Sequence, residues 1–146
     1  MEYRLLLASD GSENSIRAAE FVVGLVALAP AIKVTVIVVN DILEKIKYYS
    51  PLRTPTVIVE VDALFKEKAK EALDVTLEFL EKKGVKATGL TKLGNPARDI
   101  VDYARAEGIN HIVIGSRGMG SLKGIVLGSV SSKVVQLADC PVTIVK

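Results

Sequence analysis

Residues 111–129 read HIVIGSRGMGSLKGIVLGS, and they are the most informative part of the sequence. It opens on a short apolar strand, His111 to Ile114, and continues into a segment rich in glycine from Gly115 to Gly128. The residues from Ser129 onward favour a helix that ends before Cys140-Pro141. A strand that leads through a glycine-rich loop into a helix is typical of parallel α/β sheets.

The same stretch is a candidate phosphate site. The backbone amides at the start of the helix are free, and the helix dipole favours an anion there, while glycine lets a phosphate approach the backbone closely. Arg117 and Lys123 offer positive charge, and hydroxyls come from Ser129, Ser131 and Ser132. The alternative is a glycine loop whose serines only cap a helix.

Two common phosphate-binding motifs are excluded. A P-loop requires G-x-x-x-x-G-K-[ST], but Gly115 to Gly120 is followed by Ser121. The dinucleotide fingerprint G-x-G-x-x-G should follow the first strand, whereas Gly118, Gly120 and Gly124 follow the fourth and are spaced one residue too widely. Neither a P-loop NTPase nor a nicotinamide enzyme is indicated.

Outward from this stretch, strands and helices alternate along the chain. The eight residues from Ile32 to Val39 are apolar on both faces, which is typical of a sheet covered on both sides. We predict one domain over residues 1–146, with a doubly wound five-stranded parallel sheet and helices on both faces. The strands are expected at 4–8, 32–39, 85–93, 111–114 and 142–145, and the helices at 12–30, 57–83, 96–108 and from about 129 to 139.

Composition excludes several classes of protein. The chain carries 19 Lys+Arg against 17 Asp+Glu, a net charge of +2, so a broad cationic surface for nucleic acid is not expected. The longest stretch without charge, Phe21 to Ile32, is shorter than the roughly 20 residues of a membrane-spanning helix. Cys140 and His111 are single residues of their types, so neither a disulfide nor a metal cluster is expected. We therefore expect a soluble cytoplasmic protein.

The glycine spacing resembles a known family signature. Gly115, Gly118, Gly128 and Ser129 match G-x2-G-x9-G-[ST], which is similar to the ATP-binding branch of the universal stress protein family. The resemblance extends to residues 9–12, 94–96, 112–118 and 140–145, and so covers essentially the whole chain.

The resemblance implies a strand order of 3-2-1-4-5 and a ligand at the switch point between the first and fourth strands. It also implies ATP with Mg²⁺ or Mn²⁺ as ligands. Asp10 would lie near the ribose or the metal, although an Asx-turn role is equally open, and Val39 would offer its backbone to adenine. The adenosine end would be lined by Ala8, Asp10, Val39 and Ile114, and the ribose and phosphates held by Gly115, Arg117, Gly118, Gly128, Ser129, Val130 and Ser131.

Three functions stay open. The resemblance favours an ATP-binding stress or signalling module with an unknown protein partner. A slow or partner-dependent ATPase is the second, because only Asp10, Asp41 and the loop serines are candidates for catalysis and no catalytic residue can be named. A nucleotide-free dimeric interaction protein is the third.

The last strand predicts a homodimer. Val142 to Val145 carries no charge although the implied strand order puts it at an open edge, which is typical of an edge that pairs with a second copy. The alternative is that a loop or the terminal helix covers this edge.

The remaining polar residues are expected to have structural roles. His111 is expected at the surface, and Cys140 is expected to be a small apolar residue of the core. The Lys and Glu run from Glu67 to Lys83 is expected to form a solvated helix face. Apart from Asp41 as a candidate for catalysis, no role is predicted for residues 40–56.

Overall fold

The computed structural model describes residues 2–41, 55–118 and 127–146, with only the backbone described for 55–58. In this part of the chain, strands and helices alternate as the sequence predicts. The strands are β1 (Arg4–Ala8), β2 (Lys33–Asn40), β3 (Ala87–Leu93), β4 (His111–Gly115) and β5 (Val142–Val145). The helices are α1 (Glu13–Leu28), α2 (Pro55–Lys82), α3 (Pro96–Ala106) and α4 (Ser129–Leu137).

The sheet is parallel throughout, with the strand order β3-β2-β1-β4-β5. The predicted fold class and strand order are confirmed. β1 occupies the centre, and Leu5, Leu6 and Leu7 are fully buried because helices cover the sheet on both sides.

Alternation along the strands divides the core into two layers. Leu5, Leu7 and Val36 pack on one face against α1 and α2. Leu6 and Ile112 pack on the other face against α3 and α4. The segments that leave β1 and β4 therefore turn to opposite faces of the sheet, since β1 leads to α1 and β4 leads to α4.

Capping residues explain where three of the helices begin or end. The side chain of Ser12 accepts a hydrogen bond from the Ser15 amide, and Asn95 accepts one from the Arg98 amide. Gly84 has φ +79° and follows α2, where the Val85 amide donates to Leu80 O at 2.9 Å. Because this bond commits Val85 to the helix cap, β3 begins at Ala87 and not at residue 85 as predicted.

None of the helices within the described ranges is both long and apolar enough to cross a membrane. Residues 119–126, which include Lys123, lie outside the described residues, as do residues 42–54.

Candidate functional site

A cavity of about 710 Å³ lies at the carboxyl edge of the sheet, where β1 and β4 are neighbours. Because the segments after these two strands turn to opposite faces, the edge between them is left open as a crevice. The volume falls within the roughly 300–1,000 Å³ of small-molecule sites.

The structure brings all eleven predicted site residues together in the lining of this cavity. They come from the ends of three strands, from the loops after β1 and β4, and from the first turn of α4. These residues are Ala8, Asp10, Val39, Ile114, Gly115, Arg117, Gly118, Gly128, Ser129, Val130 and Ser131.

The loop after β1 directs Asp10 across the crevice. The Ser12 amide donates to Asp10 Oδ1 at 2.9 Å, which is an Asx turn, and Gly11 takes the left-handed φ of +77° that the turn requires. The Asp10 carboxylate also packs on Gly118, where a Cβ atom would overlap Oδ2. Asp10 therefore both holds its own loop and reaches the loop after β4.

The loop after β4 is closed at its base by Ser116. The carbonyl of Ser116 accepts from the Gly128 amide at 2.5 Å and from Ser131 Oγ at 2.8 Å, while its amide donates to Val145 O at 2.7 Å. Ser131 is only 2% exposed. Its hydroxyl thus fixes where α4 begins relative to the end of β4.

The N-terminus of α4 has no side-chain cap. Its N-cap residue is Gly128, whereas the described caps of α1 and α3 are the side chains of Ser12 and Asn95. The first backbone bond of α4 runs from the Ser132 amide to Gly128 O at 3.1 Å. The amides of residues 129–131 precede that bond, and Arg117 lies in the same lining. Such a helix N-terminus beside a cation has the chemistry that an anion requires.

The other end of the cavity is lined by apolar side chains and by the backbone of Val39 at the end of β2. The β1–β2 register ends at Ala8 and Ile37, and Ile37 O accepts from the Ser9 amide at 3.0 Å. Backbone groups alternate in direction along a strand, so the N–H and C=O of Val39 face the side that β1 has left. Ile100 and Ile114 lie nearby in the same lining. A flat apolar ring with one acceptor and one donor at its edge fits this end.

The universal stress protein family model matches residues 2–146. The chain belongs to the universal stress protein family. It is 36% identical to universal stress protein YxiE of Bacillus subtilis over 98% of both chains.

Solved universal stress protein structures share the fold. The structure of MJ0577, a universal stress protein of Methanocaldococcus jannaschii, superposes with a TM-score of 0.84 at 31% identity, covering 100% of this chain and 96% of that one. The universal stress protein of Archaeoglobus fulgidus in complex with dAMP superposes with a TM-score of 0.70 at 25% identity, covering 100% of both chains.

One side of the cavity in this family member was not anticipated. It is formed by α2, and we call it the α2 wall: Lys68, Ala69, Glu71, Ala72 and Val75. Lys68, Lys70 and Glu71 are exposed, as predicted for a solvated helix face, and Lys70 pairs with Asp74 at 2.9 Å. Lys68 and Glu71 also line the cavity. One sequence signal sets Lys68 apart from a paired surface lysine. The residues four positions before and after it are Leu64 and Ala72, so it has no acid at that spacing to pair with.

The charges in the described part of the lining are mixed: Asp10, Asp41 and Glu71 against Lys68 and Arg117. Among the described residues, no group of three or more His, Cys, Asp or Glu side chains could hold a metal ion.

The remaining titratable candidates lie away from the cavity lining. His111 is half-buried, with Nε2 at 2.7 Å from Thr143 Oγ1, and burial lowers its pKa. Burial raises the pKa of the Cys140 thiol, which packs with the core on the α3 and α4 side.

Proposed function

We propose that this chain is an ATP-binding module in which residues 1–146 form one nucleotide-binding domain. One observation carries the proposal: an uncapped helix N-terminus, Arg117 and the backbone edge of Val39 line the same cavity. An anion site at one end and an apolar end with a free backbone edge match the two halves of a nucleotide.

Each end has a defined role in this proposal. The amides at the start of α4, with Gly118, Gly128 and Ser129, receive the phosphates. Val39 offers its backbone to adenine between Ile114 and Ile100. The dAMP complex of the Archaeoglobus fulgidus universal stress protein supports an adenine nucleotide as the ligand class.

A divalent ion fits this arrangement as a companion of the phosphates. Asp10 is the carboxylate that would hold Mg²⁺ or Mn²⁺, and phosphate oxygens would complete the coordination. The ion neutralises phosphate charge, which matters because the described lining has one more carboxylate than cations.

We propose binding without efficient chemistry. Phosphoryl transfer requires a group that orients the attacking water or takes its proton. In this proposal Asp10 accepts from the Ser12 amide, packs on Gly118 and holds the metal ion, so its carboxylate is already engaged and does not serve as a base. A slow or partner-dependent ATPase is the alternative that turnover measurements would test.

We also propose a cytoplasmic homodimer that pairs through β5. This strand lies at the edge of the sheet, and its four residues are half-buried in the single chain. It carries no charge or proline, whereas Lys92 lies on the opposite edge strand, β3. An uncharged edge of this kind favours pairing with a second copy. A nucleotide-dependent protein partner belongs to the same proposal.

The deciding experiment identifies the small molecules released from the purified, denatured protein and measures ATP, ADP and AMP affinity by calorimetry. Gly118→Ala should lower ATP affinity about tenfold, since the new Cβ displaces Asp10 (tenfold corresponds to about 1.4 kcal/mol). Gly24→Ala is the matched control, because a Cβ there meets no atom within 4 Å. Native protein that neither carries nor binds an adenine nucleotide would leave the nucleotide-free interaction protein as the function.

A further inference from the structure

A buried threonine lies in the middle of the apolar face of α2. Thr76 is fully buried, on the same helix face as Leu73 and Leu80 of the core. Its Oγ1 lies 2.7 Å from Ser9 Oγ, and Ser9 is only 8% exposed. A hydroxyl pair thus joins α2 to the first residue after β1.

The direction of these hydrogen bonds follows from donor counting. Thr76 Oγ1 donates its one proton to Ala72 O at 2.8 Å. Ser9 therefore donates to Thr76, and Ser9 Oγ accepts from the Gly11 amide at 3.2 Å. The result is a short chain of hydrogen bonds from the Gly11 amide through Ser9 and Thr76 to the backbone of α2.

A second contact fixes the same turn against α2. Gly11 approaches the helix so closely that a Cβ on it would lie 3.1 Å from Ala72 Cβ. The next residue, Ser12, is the one whose amide holds Asp10 Oδ1. Thr76 and Ala72 together therefore hold the turn that directs Asp10 into the cavity.

We propose that Ser9 and Thr76 are a positioning pair that sets the Asp10 turn for nucleotide binding. This inference rests on the proposed function. The bond between the two hydroxyls by itself adds little stability, because replacing both partners of a buried hydrogen bond by apolar groups of similar shape can be nearly neutral. What apolar groups cannot supply is an acceptor for the Gly11 amide.

The test compares Thr76→Val, Ser9→Ala, the double variant and Thr76→Ser. We measure ATP affinity by calorimetry, melting temperature, and exchange of the Gly11 amide in the absence of nucleotide. The double variant should melt close to the native protein, yet its ATP affinity should fall about fivefold, as expected for one lost hydrogen bond of about 1 kcal/mol. Its Gly11 amide should exchange faster, and Thr76→Ser should restore native affinity.

The matched control is another cross-element hydroxyl pair, Thr35 and Thr88, whose oxygens are 3.2 Å apart on β2 and β3. Changing both to valine should leave ATP affinity and Gly11 exchange unchanged. Native ATP affinity and native Gly11 exchange in the double variant would overturn the positioning role while leaving the proposed function intact. Absence of any adenine-nucleotide binding by the native chain would instead overturn the proposed function, and this inference with it.

Discussion

Replacing Gly128 by aspartate should stabilise the fold and weaken ATP binding at once. Gly128 has φ −73° and ψ 167°, an N-cap conformation that any residue adopts. A Cβ there would lie 3.4 Å from Ser116 O and 3.7 Å from Ser131 Oγ, which are ordinary contacts. The better cap contributes a few tenths of a kcal/mol, and the lost freedom of glycine in the unfolded chain contributes about 0.4–1 kcal/mol. The sum of about 1 kcal/mol raises the melting temperature by about 2–4 °C.

The new carboxylate at position 128 should weaken the binding of the phosphates. It would accept hydrogen bonds from the amides at the start of α4 that the nucleotide requires, and it would place a negative charge beside the phosphates. Two like charges about 4 Å apart repel by about 4 kcal/mol at an effective dielectric constant of about 20, and salt reduces this. We therefore expect ATP affinity to fall at least tenfold, or about 1.4 kcal/mol.

The measurement pairs thermal unfolding without nucleotide with calorimetric titration of ATP. Gln136→Glu is the control, since it adds the same charge to an exposed residue near the other end of α4. A Gly128→Asp protein that melts higher and binds ATP like the native chain would remove the phosphates from α4. A protein that melts lower would show that the capping argument is wrong.

Three further outcomes follow from the fold and the site. Purified protein with ATP and Mg²⁺ should turn over far more slowly than the roughly 10 per second of a typical enzyme, and a rate near that value abolished by one substitution would overturn the binding-module proposal. Lysine at both Thr143 and Val145 should shift a dimer towards monomer in light scattering, with Thr91→Lys on β3 as the control, whereas a native chain that is already monomeric at tens of micromolar would contradict the interface. Burial lowers the pKa of His111, so the unfolded chain takes up a proton first as pH falls below about 6.5, and stability should drop through that window. His111→Gln should flatten this part of the melting-temperature profile, and an unchanged profile would assign the pH dependence to other groups.

Local chemistry explains which parts of the fold could be predicted. The caps Ser12 and Asn95 bond to amides three residues away, so each signal and its consequence lie within one turn. The family resemblance implies the eleven site residues, and sheet geometry agrees with it, because the ends of parallel strands share one edge and a switch point opens there. Neither inference needs a distance between remote parts of the chain.

Contacts between remote residues explain what could not be predicted. Helical periodicity places Thr76 on the buried face of α2. Nothing in that pattern predicts that Thr76 contacts Ser9, which is 67 residues away in the chain. Lys68 and Lys70 belong to the same run of Lys and Glu residues, yet of these two only Lys68 lines the cavity, because the rotation of α2 is set by its packing on Gly11 and on the sheet. The pattern of a single sequence predicts which face of a helix is buried. It does not predict which residue from a remote part of the chain packs beside that face.

The helix α2 is one element in geometry but has two levels of local stability. From Val59 to Lys68 no side chain is buried, and Val59 and Leu64 are 67% and 50% exposed. These turns depend on local terms such as the Lys66–Asp62 pair, worth about 0.3–0.5 kcal/mol, whereas burial holds the helix from Ala69 onward. The first half of α2 can therefore unwind at a cost well below that of global unfolding. A protease such as trypsin would therefore reach the unwound backbone at Lys66 and Lys68 and cleave it there while the sheet stays folded.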